Sequence, residues 1–416
     1  MADPVVVVGG GPVGLAAAAE LAERGVEVVV FERGATAGAA VAEWGHVRLF
    51  SAWPELVAPA ARRLLEPTGW AEPPADAYPT GAEWVHDYLS PLAEALGERL
   101  RTGAEVVGVG SEPLTVHVRH SDGREERVPA SGVVDASGTW GGPNPLGGDG
   151  LPALGERAAA DAGRITYRIP RAPLGGHVVV AGSGHSALTA LVALTSGNSD
   201  TKVTWLLRRG GIDDTFGGGE RDELPARGRL GQRARAAVEA GVHVVTGFRT
   251  AAVETGPDGS LTLVAADGRT VGAVDHVVAL TGLRPDLSWL SELRLALDPA
   301  LQAPVRLAPM IDPTVHSCGT VAPHGVRELA HPEPGVYLAG MKSYGRAPTF
   351  LALTGYEQVR SIAAAFAGDH AAAERVELVL PETGVCGGTG GFAAEDGACC
   401  GVSAGPELVQ LTSRIP

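Results

Sequence analysis

Residues 4–33 read PVVVVGGGPVGLAAAAELAERGVEVVVFER, and this stretch decides the fold. Val5–Val8 is a run of β-branched residues, the pattern of a strand buried on both faces. Three glycines follow at G-x-G-x-x-G spacing, Gly9, Gly11 and Gly14. Gly9 permits a tight turn, Gly11 lets backbone approach a pyrophosphate, and Gly14 lets a helix lie close on the strand. Pro12 and Val13 open that helix, whose N-terminus presents free N–H groups and a positive dipole end. A second apolar strand then ends at Glu32-Arg33, where a carboxylate suits ribose hydroxyls. A lone G-x-G-x-x-G is weak; here strand, turn, helix, strand and acid all stand in order.

The pattern returns in HVVVAGSGHSALTALVAL, His177–Leu194, followed by KVTWLLRR, Lys202–Arg209. Gly182, Gly184 and Ala187 fill the glycine positions, with His185 and Ser186 opening the helix. The second strand ends on Arg208 and Arg209 in place of an acid. Guanidinium groups bind a 2′-phosphate that a carboxylate repels, so this site is predicted to prefer NADPH over NADH. The meanders are duplicated as well. Leu114–Gly138 and Leu261–Gly282 each alternate, turn at Asp-Gly, return, and end in small-x-Gly, at Ala136–Gly138 and Leu280–Gly282.

These residues resemble the two-dinucleotide-binding-domain flavoproteins, which include flavin-containing monooxygenases and pyridine-nucleotide disulfide oxidoreductases. The resemblance covers roughly residues 1–370. VVDASGTWGGPNPLGG (Val133–Gly148) is similar to the ATG-x-W-x-x-P passage of the monooxygenase side, and GVYLAGMKSYGRAPTF (Gly335–Phe350) to the late flavin-contacting strand and helix entry. HVRLFS (His46–Ser51) resembles a flavin-contacting turn and makes Arg48 a candidate. The strings GSGHSA, FGGG, HSCGTVAPHG, MKSYGRAPTFLALTGYEQVRS and LPETGVC resemble flavoproteins found among arsenic-resistance functions.

The resemblance implies an α/β fold: two nested Rossmann-like domains, each with a β-meander, and a Gly-rich C-terminal tail. An FAD domain (1–170 and 300–380, with an aromatic insertion at 34–100) is interrupted by an NADPH domain (171–299), and a tail spans 381–416. FAD falls to Gly9, Gly11, Pro12, Val13, Gly14, Glu32, Arg33, Arg48, Ala136, Gly138, Gly340 and Met341. NADPH falls to Gly182, Gly184, His185, Ser186, Ala187, Arg208, Arg209 and Gly282. There are departures. Met341 stands where the family carries an Asp that holds the ribityl chain, and neither F-x-G-x-x-x-H nor a redox C-x-x-C occurs.

Composition narrows the partners. A net charge of −15 disfavours nucleic acid and anionic membrane, and the positive charge is nearly all arginine, with Lys202 and Lys342 the only lysines. No apolar run reaches the ~20 residues that span a bilayer, and the N-terminus lacks the basic head of a secretory signal. Four cysteines in 416 residues make no disulfide framework. A cytoplasmic protein with a small-molecule substrate is expected; its assembly stays open, a homodimer among the choices. LPETG at Leu380–Gly384 lacks the hydrophobic span and basic end of a wall anchor and is expected to end the folded body.

The insertion holds Trp44, Trp53, Trp70 and Trp84 with Phe50, Tyr78 and Tyr88. These rings either wall a flavin and substrate pocket or form the core of a helical subdomain. His316, Cys318, His324 and His331 match no common zinc spacing, so no metal is expected; they either stand near the flavin ring or substrate or are ordinary polar residues of a loop. Three chemistries stay open. A monooxygenase oxidises a soft sulfur, nitrogen or arsenic atom with O₂. A reductase relays electrons through Cys399 and Cys400. In the third, those two thiols and Cys386 only hold a thiophilic ion.

Overall fold

The computed structural model describes residues 3–196, 201–222, 224–312, 321–348 and 350–378. Two five-stranded sheets organise the chain. In the first, Val5–Val8 lies at the centre, parallel to Val28–Phe31 on one side and Gly132–Asp135 on the other. Leu100–Arg101 and Val336–Leu338 extend the two edges, also in parallel. The second sheet repeats the plan around His177–Ala181, flanked by Lys202–Leu206 and His276–Ala279, with His243–Val245 and Ile165–Thr166 outside them. Both central strands are buried along their length, as uninterrupted valine runs require.

Each sheet feeds a three-stranded antiparallel meander. One is Ala104–Ser111, Leu114–His120 and Glu125–Pro129; the other is Thr250–Thr255, Leu261–Ala265 and Thr270–Val274. The Asp-Gly turns close both hairpins, with Gly123 and Gly268 each at φ +85°, a conformation open to glycine and costly for most other residues.

The first turn works as the glycine spacing requires. The Cβ of any residue at Gly14 would sit 1.9 Å from the Gly9 carbonyl oxygen, so helix Pro12–Glu23 lies on the strand only because Gly14 lacks one. On that helix's other side packs Ala352–Phe366, where Gly355 approaches Val13. In the second turn Gly182 has φ +126°, and its missing Cβ would meet the Leu280 oxygen at 2.1 Å.

Strand pairing and core packing run across the expected bounds 170/171 and 299/300. Ile165–Thr166 already pairs with the second sheet, while Leu290 and Leu293 are buried with Val6, Val8 and Val133 of the first. The chain crosses between the sheets twice, and the crossings pair with each other. Pro143 forms an antiparallel bridge with Leu283, Asn144 N–H donates to Gly282 O at 2.9 Å, and Arg284 N–H donates to Gly142 O at 2.8 Å.

Among the described residues no helix is long and apolar enough to cross a membrane, and no group of three His, Cys, Asp or Glu is arranged to hold a metal ion. The tail 381–416, with Cys386, Cys399 and Cys400, lies outside the described residues, as do His316 and Cys318.

Gly14→Ala should destabilise the protein by about 3 kcal/mol, because its Cβ meets backbone that cannot swing aside. Thermal or denaturant unfolding measures this, and a near-native midpoint would refute the close-approach argument.

Candidate functional site

One cavity of about 560 Å³ collects most of the residues singled out in the sequence. Gly9, Gly11, Pro12, Val13 and Glu32 line it from the first turn and strand end, and Ala136, Gly138, Gly340 and Met341 from neighbouring strand ends. Arg48 lines it from the insertion, and His185 and Ser186 from the second turn. Helices Pro12–Glu23 and His185–Thr195 therefore begin at the same chamber.

Neither helix start carries a side-chain cap. The N–H groups of the first turn are left for a ligand, and the dipole favours an anion there. At Gly11 and at Gly184 a Cβ would have no atom within 4 Å, so these two glycines leave room that a side chain would fill. Gly9 at φ +102° is different: its Cβ would lie 2.9 Å from both Ala136 O and Ser137 Cα, which sets the turn against the loop after Gly132–Asp135. The Glu32 carboxylate accepts from Gly10 N–H and Gly34 N–H, both at 2.6 Å, and is held facing the cavity with acceptor capacity left. Uncapped N–H groups, an open cradle at Gly11 and a fixed carboxylate suit the pyrophosphate and ribose of a dinucleotide.

The remaining candidates do not line this chamber. Gly14 and Gly182 serve close backbone approach, Gly282 stands at φ +99° beside the Asn144 side chain, and Ala187 is fully buried in the second unit's core. Arg33 is exposed, its guanidinium beside Gly141. Arg208 is exposed just past strand Lys202–Leu206, and the Arg209 carbonyl accepts from Gly247 N–H at 2.6 Å.

The insertion both lines the cavity and contributes to the core. Trp44, Phe50 and Trp84 face the cavity, while Trp53 and Tyr88 are buried in the core with Leu56, Leu89 and Leu92. Phe50 meets the His185 ring edge-on at 5.3 Å, so the insertion touches the second unit across the chamber. The His185 ring opens onto the cavity, yet the surrounding protein and then the Arg227 charge push its pKa down to about 4, and it is neutral at pH 7. Arg227 also lines the chamber, with its Nε donating to Asp222 Oδ2 at 2.9 Å.

In the histidine stretch Val321 lines the cavity, and the described histidines, His324 and His331, do not. His324 is buried and structural: its Nδ1–H donates to Ala322 O at 3.1 Å, and its Nε2 accepts from Gln358 Nε2 at 2.8 Å. Gln358 in turn accepts from Gly340 N–H at 2.7 Å. His331 Nδ1 accepts from Ala296 N–H at 3.3 Å, away from the chamber.

Sequence reasoning passes over Asp135, Ser137, Arg227 and Lys342. Lys342 is 1% exposed, and its ammonium lies 3.1 Å from Asp135 Oδ2 in a fully buried ion pair. It donates to Ser137 Oγ at 2.9 Å and to Asp286 O at 2.7 Å. One signal was available: an arginine-rich chain carries only two lysines.

Residues 3–332 match the pyridine nucleotide-disulphide oxidoreductase family. No curated protein sequence matches the chain. In fold it is similar to bacillithiol disulfide reductase from Bacillus cereus (TM-score 0.67, 21% identity, covering 88% of this chain and 99% of that one). It is also similar to thioredoxin reductase from T. acidophilum (TM-score 0.57, 16% identity, 88% and 97% covered). A flavin-containing monooxygenase from Stenotrophomonas maltophilia gives a TM-score of 0.56 at 23% identity, with 88% and 99% covered. At such identities the likeness is one of fold.

Gly11→Ala and Gly184→Ala separate ligand room from fold. Both should leave the melting temperature near wild type, since each Cβ enters open space. Gly11→Ala should weaken flavin binding, and Gly184→Ala nicotinamide dinucleotide binding, each by at least about tenfold, or ~1.4 kcal/mol. Unchanged affinities by titration would remove these turns from the binding site.

Proposed function

The chain belongs to the pyridine nucleotide-disulphide oxidoreductase family, and from that premise we propose that it is an FAD- and NADPH-dependent monooxygenase acting on a soft atom of a small substrate. The enzyme is a flavin oxidoreductase; the acceptor of its electrons is the point of the proposal. The observation that carries it is the single cavity onto which both turns open, with Gly11 and Pro12 on one side and His185 and Ser186 on the other. A hydride donor on the second turn and a flavin on the first would then meet without a carrier between them. Bound FAD supplies the redox chemistry, taking a hydride from NADPH and passing its electrons onward.

The chain's own residues would do the rest. Gly9, Gly11 and the N-terminus of Pro12–Glu23 hold the pyrophosphate, and Glu32 holds the ribose. Arg48 closes the chamber beside Tyr78, whose carbonyl it engages. Residues 1–170 and 300–380 are assigned to FAD and 171–299 to NADPH, with Ile165–Thr166 paired to the second sheet and Leu290 and Leu293 packed on the first. Exposed Arg208 takes the 2′-phosphate, with Arg209 beside it. Trp44, Val47, Leu49, Phe50, Trp84 and Phe350 make the wall apolar, which limits water at the reacting atoms. The chain contains no C-x-x-C, so no vicinal redox pair of that kind stands ready to take the electrons. Sulfur, nitrogen and trivalent arsenic are the soft atoms this reading offers, and the arsenic-resistance resemblance puts arsenic first to try.

A second reading is a reductase of a low-molecular-weight disulfide or metalloid that relays electrons through Cys399 and Cys400. It is favoured by the higher TM-score to bacillithiol disulfide reductase than to the monooxygenase, 0.67 against 0.56. In a third, the tail thiols only hold a thiophilic ion.

NADPH oxidation and O₂ uptake should be measured together with thioethers, amines and trivalent arsenicals. The monooxygenase reading expects equimolar O₂ uptake that persists in Cys399→Ser and Cys400→Ser. Anaerobic disulfide reduction lost in those variants would replace it with the relay. Separately, Arg208→Ala should raise KM for NADPH by about tenfold and leave that for NADH nearly unchanged, as loss of one charge-assisted phosphate contact implies. Equal effects on both would defeat the 2′-phosphate assignment.

A further inference from the structure

The ion pair of Asp135 and Lys342 is fully buried and neither side chain lines the cavity. Apolar residues of similar volume often serve a core at least as well, because taking two charges out of water is costly. What the ammonium touches gives its use. Asp135 ends the strand Gly132–Asp135, and Ser137 follows in the loop 136–140, every residue of which lines the cavity. Asp286 belongs to the return crossing, just after the ribbon formed with the outgoing one. Lys342 therefore joins strand end, cavity floor and crossing at one atom, with Trp289 5.3 Å from its Nζ.

The geometry at Ser137 is tightly set. Its N–H and its hydroxyl both donate to Asp135 Oδ1, at 3.0 and 2.6 Å, while Oγ accepts from Lys342 at 2.9 Å. The hydroxyl is thereby oriented on both sides, although the residue is open to the cavity. Its Cα lies where a Cβ on Gly9 would reach, so the loop already abuts the first turn. Asp135 Oδ2 receives no aligned hydrogen bond among the described residues, so charge alone holds it to Lys342.

We propose that Lys342 is a positioning residue that locks the cavity-lining loop 136–140 to the return crossing at Asp286, and so keeps the two nucleotide turns over one chamber. The loop cannot shift without moving Ser137, and Ser137 cannot move without the crossing. For its ligands the inference rests on the reading that flavin occupies the first turn and NADPH the second.

The test uses the full chain, with Ser137→Ala, Lys342→Arg and the charge-free double variant Asp135→Asn/Lys342→Met. Ser137→Ala keeps the ion pair and removes the link to the loop. The double variant removes both charges, so no carboxylate is left uncompensated. Hydrogen–deuterium exchange of the flavin-free protein reads the lock directly. Amides of 136–140 and of 284–286 should lose protection together in the double variant, those of 136–140 alone in Ser137→Ala, and Lys342→Arg should restore part of both. Anaerobic rapid mixing with NADPH then reads the consequence: flavin reduction should slow by about tenfold or more in the double variant, as misplacement near 1 Å implies. Unchanged exchange in both segments would overturn the lock, whatever the reduction rate. If exchange rises in the variants as expected but the wild-type protein takes up no flavin, the lock stands and the cofactor reading falls instead.

Discussion

A carbonyl oxygen occupies the place of a side chain at the root of this molecule. Gly9 O stands 1.9 Å from where Gly14 would carry its Cβ, and the helix of the first turn lies on the sheet because that atom is missing. Much else follows from the contact. It sets where the uncapped start of Pro12–Glu23 points, and that direction defines one wall of the cavity. It brings Val13 against Gly340 and Gly355, so the late strand end and helix Ala352–Phe366 can close over the same spot. The second unit obeys a matching constraint at Gly182, whose missing Cβ clears the Leu280 carbonyl.

The sequence shows these constraints well because each is local. Strand, turn and helix lie within thirty residues, and a glycine at a fixed offset has one physical reading there. The Asp-Gly hairpins are legible for the same reason. What the sequence shows poorly depends on distant partners. His324 reads as a possible site residue from its neighbours in the chain, yet Gln358, on helix Ala352–Phe366, holds it in the core. Asp135 and Lys342 are ordinary letters until the fold sets them 3.1 Å apart. Arg227 gains its place only because its helix begins at the chamber, with Asp222 holding the guanidinium. The placing of Leu290 and Leu293 is equally hard to read, since their burial is decided by the first unit's core and not by their neighbours in the chain.

The insertion shows how one segment can satisfy two demands. Its buried rings, Trp53 and Tyr88, give it a core of its own continuous with the first sheet's helices, and the Tyr88 hydroxyl accepts from Ala58 N–H at 3.0 Å. That stiffness lets Trp44, Phe50 and Trp84 present apolar surface to the chamber from a rigid base. Arg171, between Ile165–Thr166 and His177–Ala181 of the second sheet, donates to the Glu43 carbonyl at 2.8 Å at the end of helix Ala39–Glu43. The insertion and the second unit are thus fastened together.

The paired crossings carry a meaning for descent. The chain leaves the first unit and returns to it side by side, at Pro143 and Leu283. The strands on either side of the excursion, Gly132–Asp135 and Val336–Leu338, are direct neighbours in one sheet. The second unit is therefore a cassette with a single doorway. It can be gained, lost or exchanged by two adjacent joins without breaking a strand pairing of its host. A gene duplication that set one βαβ-and-meander unit inside a copy of itself would leave this arrangement.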